Sequence, residues 1–359
     1  MHLRTGNGRF FSSLLPWSSF NSLLASERLL DDRTRMVRRG RDLPREMWSY
    51  VGADLKRVVR PDQLQRFCQE GLSIVLNQVH RAAPALAALV AMLEQNLAAR
   101  IQTNLYASFG RESAFRAHCD DHDVLVLHLH GRKRWSCHGH RPDACTQNGV
   151  VPEERLAPAL WEDVLEPGDI LYIPRGEVHR AALEGEASLH LTNSLLWPRG
   201  ADLLQWLAKG GSDAVEFDLD IPVYGSVADM HQYEHALRKT LRRLADTVEL
   251  APFLAAFRQE RPAALPFNLG LSAQPDPDCW VQALQSPDMP LPAEGSASIS
   301  FNGEQIALDP AERTVLAALL AHGARQVADL PRLSGLDMVT VRDTVSRLAR
   351  RSLVLLAEG

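Results

Sequence analysis

The spacing of apolar positions changes period twice along the chain, and each change marks a different kind of element. Near the N-terminus Leu14, Leu15, Phe20, Leu23 and Leu24 fall on one side of an amphipathic helix that would pack on the domain after it. Helical spacing continues from about residue 60 to 100. Pro61 opens a segment carrying Leu64, Phe67 and Cys68, and Leu86, Leu89, Val90 and Leu93 repeat the stripe. The period then shortens. Ile101 to Tyr106 and Val124 to Leu129 alternate or run apolar over short lengths, Trp135 closes one such run, and the turn Glu166-Pro167-Gly168-Asp169 feeds a strand from Ile170 to Pro174. Short strands joined by turns, with no helices between them, predict an antiparallel β core of the jelly-roll type.

After Pro198 the helical period returns. Val227, Met230, Tyr233, Leu237, Leu241 and Leu244 follow at steps of three and four, and a stripe of this length requires a partner surface, from the same chain or a second subunit. The stretch from Pro262 to Pro292 is dense in Pro, Ser and Asp and reads as a linker or irregular arm. Beyond it, Asp309-Pro310 starts a helix through Leu320, Val327 to Leu333 gives a second, Asp337 caps a third that runs to Arg350, and Leu353 to Leu356 reads as a closing strand. Three helices and a small β element resemble a winged helix.

A length of 359 residues fits two or three domains, and 45% apolar with 23% charged residues is the composition of a globular protein. The net charge of −5 gives no general field for a nucleic-acid backbone or an anionic membrane. From Ala297 to Gly359 seven arginines meet seven acids, so the C-terminal module is neutral, which argues against DNA binding. No apolar run approaches the ~20 residues that a membrane span needs. The five cysteines are scattered, without a CxxC pair, which points to a reducing, cytoplasmic setting. Cys137, His138, His140 and Cys145 lie close together but lack the second ligand pair of a closed zinc site.

The chemistry concentrates between His118 and Trp135. Residues i and i+2 of a strand share a face, so His118 and Asp120 can reach one ion, and His179, just after a strand and turn, is the natural third ligand. Two imidazoles and a carboxylate form the facial triad of non-heme Fe(II) oxygenases, which leaves positions open for cosubstrate and O2. No HExxH helix is present to support a zinc hydrolase. Only four of the 39 basic residues are lysines (Lys56, Lys133, Lys209 and Lys239), so a lysine at a special place is informative.

The HxD pair, a strand ending in Gly-Arg-Lys-Arg-Trp, the Glu-Pro-Gly-Asp turn, the strand Leu-Tyr-Ile-Pro and His179 together resemble the Jumonji-C 2-oxoglutarate oxygenases. More narrowly, the whole chain is similar to the bacterial cupin-like ribosomal oxygenases, which are protein hydroxylases. The resemblance implies a mainly β, double-stranded β-helix catalytic core with flanking helices over residues 1–200, a helical dimerisation region and linker over 201–292, and a winged helix over 293–359. It implies Fe(II) held by His118, Asp120 and His179, and 2-oxoglutarate bound through Lys133 with Asn104, Tyr106 and Ser194 lining the pocket. It further implies O2 as oxidant, a polypeptide substrate such as a ribosomal protein, and a homodimer.

The chain departs from many relatives at His128 and His130, where a glutamine and an acid are expected. His128 and His190 read as hydrogen-bonded core residues; Asp121, His122 and Asp123 as loop polar groups; Arg132 and Arg134 as solvated; Tyr172 and Trp197 as core aromatics. Two other functions compete with the protein hydroxylase: hydroxylation of a small ribosomally made peptide, and a non-catalytic cupin sensor with a DNA-binding tail.

Overall fold

A computed structural model describes residues 1–9, 11, 14–25, 33–53, 55–97, 99–110, 115–141, 149–211, 217–259, 268–270, 272, 275–284, 291, 298–301 and 304–357. Its centre is a nine-stranded antiparallel sheet. The strands are β1 (His2–Leu3), β2 (Thr34–Arg38), β3 (Arg41–Asp42), β4 (Ser73–Leu76), β5 (Arg100–Ser108), β6 (Asp123–His140), β7 (Trp161–Leu165), β8 (Ile170–Ile173) and β9 (Glu177–Leu196), in the order β1-β8-β6-β9-β5-β4-β2-β3 with β7 on the far half of β6. Two strands are exceptionally long, β6 with 18 residues and β9 with 20. Both ends of β9 line the same cavity, His179 and Ala181 at one end and His190, Thr192 and Ser194 at the other, so the sheet rolls around that space.

Strand alternation gives this roll its two faces. On β5, Ile101, Thr103, Leu105 and Ala107 are buried, while Asn104 and Tyr106 point to the cavity. The buried side packs with Phe20, Met36, Trp48, Ile74 and Leu76 in one core cluster, and Ile101 meets Val90 and Leu195 in another. The first helix spans Trp17–Ala25 and buries Phe20, Leu23 and Leu24. Leu14 and Leu15 lie before it, because Pro16 is tolerated at a helix start and not within one.

The described residues of 1–196, 262–289 and 311–359 form one compact unit, and those of 197–261 and 290–310 form a second. In the second unit, the helix Val227–Thr247 starts on a capping box in which Ser226 accepts from the Asp229 amide. Its apolar stripe is poorly covered: Val227, Met230 and Leu241 are exposed, and Thr240 is its one buried residue.

In the first unit, the helices Pro310–His322, Leu330–Ser334 and Met338–Arg350 accompany a three-stranded sheet. The central strand of that sheet is Trp280–Ala283, paired with Val354–Ala357 and Arg325–Gln326. The stretch from Pro262 to Pro292 reads as a linker or irregular arm, and over Trp280–Ala283 the structure corrects that reading to a paired strand. Only four residues form the strand, and turn-forming residues surround it, yet Val281 and Ala283 are buried. Asn268 ties the module together: its amide donates to Ala349 O at 3.1 Å and Val354 O at 2.8 Å, and its oxygen accepts from Leu356 N. Asn268→Ala removes the partner of Val354 O and Leu356 N, while Ala349 O keeps the Ser352 N–H, and it is expected to cost about 2–4 kcal/mol in urea unfolding, more than an exposed substitution would. An unchanged midpoint would refute this role.

Arg347 and Arg351 flank the buried carboxylate of Glu312, and Arg342 donates to Pro275 O, so two arginines of the last helix and the one that caps it are engaged within the fold. Cys119 is disulfide-bonded, a cross-link that the scattered cysteine spacing does not predict, whereas Cys68, Cys137 and Cys279 remain thiols. Cys145 lies outside the described residues. Among the described residues no helix is long and apolar enough to cross a membrane.

Candidate metal and carboxylate site

His118 and His179 face each other as an antiparallel pair in which each backbone N–H donates to the other's carbonyl, at 3.0 and 2.8 Å. Their rings lie 4.5 Å apart. In place of the expected strand, His118 makes two isolated bridges, to Val150 and to His179, since β6 begins only at Asp123, but the His179 bridge still sets Asp120 on the same side. His179 Nε2 lies 3.6 Å from Asp120 Oδ2, and ligand atoms of all three residues lie within 4.8 Å of one another. Among the described residues this is the one such cluster; Cys137, His138 and His140 do not form another.

The hydrogen bonds suit a cation. His118 Nδ1 is 2.9 Å from Arg116 O, and His179 Nδ1 is 3.0 Å from Glu177 O. A carbonyl only accepts, so each Nδ1 carries the proton and each Nε2 keeps its lone pair. Burial and then the neighbouring His118 push the His179 imidazole down to about 4, which keeps it neutral at pH 7. Two neutral nitrogens and a carboxylate on one side of an open space fit a divalent transition metal.

At the other end of the cavity is Lys133. The residue is 5% exposed, and its ammonium donates to Ser108 Oγ at 3.0 Å and has no carboxylate partner among the described residues. Burial pushes it down to about 7. A buried cation without an anion is costly, so the residue suits an anionic ligand. Asn104 Oδ1 accepts from Gln78 N at 2.9 Å, which turns its NH2 toward the Tyr106 hydroxyl. Tyr106, pushed up to about 12 by burial and then by Asp120, stays protonated and has its O–H left to donate. Gln78 sits in the left-handed region at φ 51°, a strained backbone that delivers the N–H fixing this chain of donors.

All seven residues expected from the sequence line one cavity of about 460 Å³: Asn104, Tyr106, His118, Asp120, Lys133, His179 and Ser194. The sequence reading missed Arg35, Phe115, Trp135 and Thr192 as wall residues. His122 is the loop residue it reads as, and it lines the cavity; His190 is buried as its reading requires but borders the open space with its Nδ1 unpartnered. His128 fits its reading through Nε2, 3.0 Å from Gly131 O. Tyr172 donates to Asp123 and stays off the cavity wall, Trp197 is exposed, and Arg132 and Arg134 pair with Glu166, Glu162 and Glu184 at the surface.

Residues 76–203 match the family model of the JmjC domain. Over those residues the chain is similar to JmjC domains. Two curated relatives are similar to part of the chain. The bifunctional lysine-specific demethylase and histidyl-hydroxylase NO66 of Aedes aegypti is 29% identical over 234 residues, 63% of this chain and 36% of that protein. Ribosomal oxygenase 1 of Rattus norvegicus is 31% identical over 199 residues, 52% of this chain and 30% of that protein. The chain thus spans about a third of the length of these relatives. The ribosomal oxygenase YcfD of Escherichia coli superposes with a TM-score of 0.52 at 21% identity, covering 99% of this chain and 94% of that one. Its complex with cobalt and 2-oxoglutarate gives 0.51 at 18% identity with the same coverage. The JmjC domain has the expected cupin-like fold, a large antiparallel sheet with helices around it.

Proposed function

We propose that this protein is an Fe(II)- and 2-oxoglutarate-dependent oxygenase that hydroxylates a side chain of a polypeptide, with ribosomal proteins as the first candidates. One observation carries the reading: a metal-ligand cluster and a buried, anion-seeking lysine line the same cavity. The relatives named as ribosomal oxygenases, and the neighbour whose structure contains cobalt and 2-oxoglutarate, support the same cofactors and substrate class.

His118 and His179 would hold the metal through Nε2, left with its lone pair because each Nδ1–H donates to the Arg116 or Glu177 carbonyl, and Asp120 would hold it through its carboxylate. Lys133 and the Tyr106 hydroxyl would bind the distal carboxylate, with Asn104 orienting the phenol and Ser194 on the same wall. With O2, the metal and cosubstrate supply the oxidising chemistry: 2-oxoglutarate becomes succinate and CO2, one oxygen atom enters succinate, and the other enters a substrate C–H bond. The protein's part is to fix metal, cosubstrate and target in line. The test supplies the purified chain with Fe(II), 2-oxoglutarate and O2 and follows succinate. It then compares by mass spectrometry the proteins of cells with and without the gene for the gain of one oxygen atom. Absence of iron-dependent succinate would refute the reading.

The exposed stripe on Val227–Thr247 supports a homodimer built on this helix, and the neutral C-terminal module supports a winged helix that docks polypeptide. Leu237→Arg with Leu241→Arg is expected to give a monomer by light scattering. A monomer for the unmodified protein would refute the dimer.

A further inference from the structure

One ring on the cavity wall has no part in the chemistry above. His190 stands on β9 opposite Tyr106 of β5 and His128 of β6, so the three rings form a row across three strands. Tyr106 and His190 stack at 5.1 Å with planes 9° apart, and His128 continues the stack at 6.2 Å. Trp135 meets His190 edge-on at 5.5 Å. Held by these rings, His190 is 2% exposed yet lines the cavity. Its Nδ1 is buried with no hydrogen-bond partner, so the outlet left to the ring is Nε2, toward the open space. A buried N–H without an acceptor is a rarer omission than an unpaired lone pair, which assigns the proton to Nε2.

We propose that His190 is a binding residue whose Nε2–H donates to the same carboxylate of 2-oxoglutarate that Lys133 and Tyr106 hold. The inference rests on the function proposed above. Burial and the Lys133 charge keep the imidazole neutral, so it adds a fixed donor to this end of the cavity without a second buried cation. The row of rings fixes its direction, which removes the entropy cost of orienting a free side chain.

The test uses the full chain loaded with Zn(II), which binds without turnover, and measures 2-oxoglutarate affinity by calorimetry. For comparison, 2-oxobutanoate lacks the distal carboxylate. His190→Phe keeps the stack and removes the donor. It should bind 2-oxoglutarate about tenfold more weakly, with unchanged 2-oxobutanoate and Zn(II) affinities. Equal weakening of both oxoacids, or no weakening of either, would overturn the proposal. An unmodified protein that binds no 2-oxoglutarate would instead refute the functional reading itself. Should His190→Phe fail to fold, nitrogen NMR of the unmodified protein decides: the His190 Nε2–H resonance should shift with 2-oxoglutarate and not with 2-oxobutanoate. A resonance indifferent to both would overturn the assignment.

Discussion

Asp120→Ala is expected to lower 2-oxoglutarate turnover by at least about a thousandfold while leaving the fold intact. The carboxylate is the one anionic donor among the three ligand-forming residues, and its side chain is 20% exposed at the cavity wall, away from the apolar core. The His118–His179 backbone pair does not depend on it, since those bonds join main-chain atoms. Loss of the carboxylate leaves two neutral imidazoles, which hold a divalent cation weakly and no longer define three sides of its coordination shell. Succinate formation is the direct measurement, with the thermal midpoint as a control on folding. Undiminished succinate from Asp120→Ala would remove the triad from the chemistry.

Lys133→Met is expected to separate binding from stability. The lost charge-assisted hydrogen bond, about 1.5–3 kcal/mol, corresponds to roughly tenfold to hundredfold weaker 2-oxoglutarate binding, and Lys133→Arg should recover part of it. The same change removes a buried cation that destabilises the free protein, so the melting temperature should rise by about 3–8 °C. The sign of the pH dependence comes from the same burial. The ammonium is held at about 7 in the fold against a usual 10.5, so between those values the unfolded chain binds one more proton than the native one. Stability of the unmodified protein should therefore rise with pH across that window, and Lys133→Met should lose this contribution. Affinity for 2-oxoglutarate should fall above about pH 7, because the free lysine must first take up a proton. A pH-independent affinity, or a variant that melts lower, would show that Lys133 is not an unpaired buried cation.

Much of the site is legible in the sequence because its chemistry is local. His118 and Asp120 share a face by their spacing, and the Glu-Pro-Gly-Asp turn with its following strand brings His179 into reach. Alternation along β5 likewise puts Asn104 and Tyr106 on one face together. The unsatisfied state of His190 is not legible in this way. Whether a buried histidine is satisfied depends on neighbours from other strands, here Tyr106 and His128 beside His190, which no local pattern supplies. The strand Trp280–Ala283 is hidden for a related reason: four residues among turn formers carry too little period, and only pairing with Val354–Ala357 makes them a strand.

By itself, the sequence determined the residue types, the strand period and the place of a rare lysine two positions after Gly131, which reads as a strand end and lies within β6 in the structure. Only the tertiary structure decided which way that lysine points. Cavity-facing residues of β6 fall on even positions at its start, as Val124 does, and on odd positions beyond Gly131, as Lys133 and Trp135 do. The parity of β9 switches too, from odd at His179 and Ala181 to even at His190, Thr192 and Ser194, across irregularities in the pairing between Glu184 and His190. Gly131 sits at the switch with φ 73°, and a Cβ there would lie 2.0 Å from the Ala187 carbonyl oxygen. A side-chain period of two reverses face with every inserted residue, so the direction of Lys133 depends on a bulge formed between two strands and not on the order of residues within either.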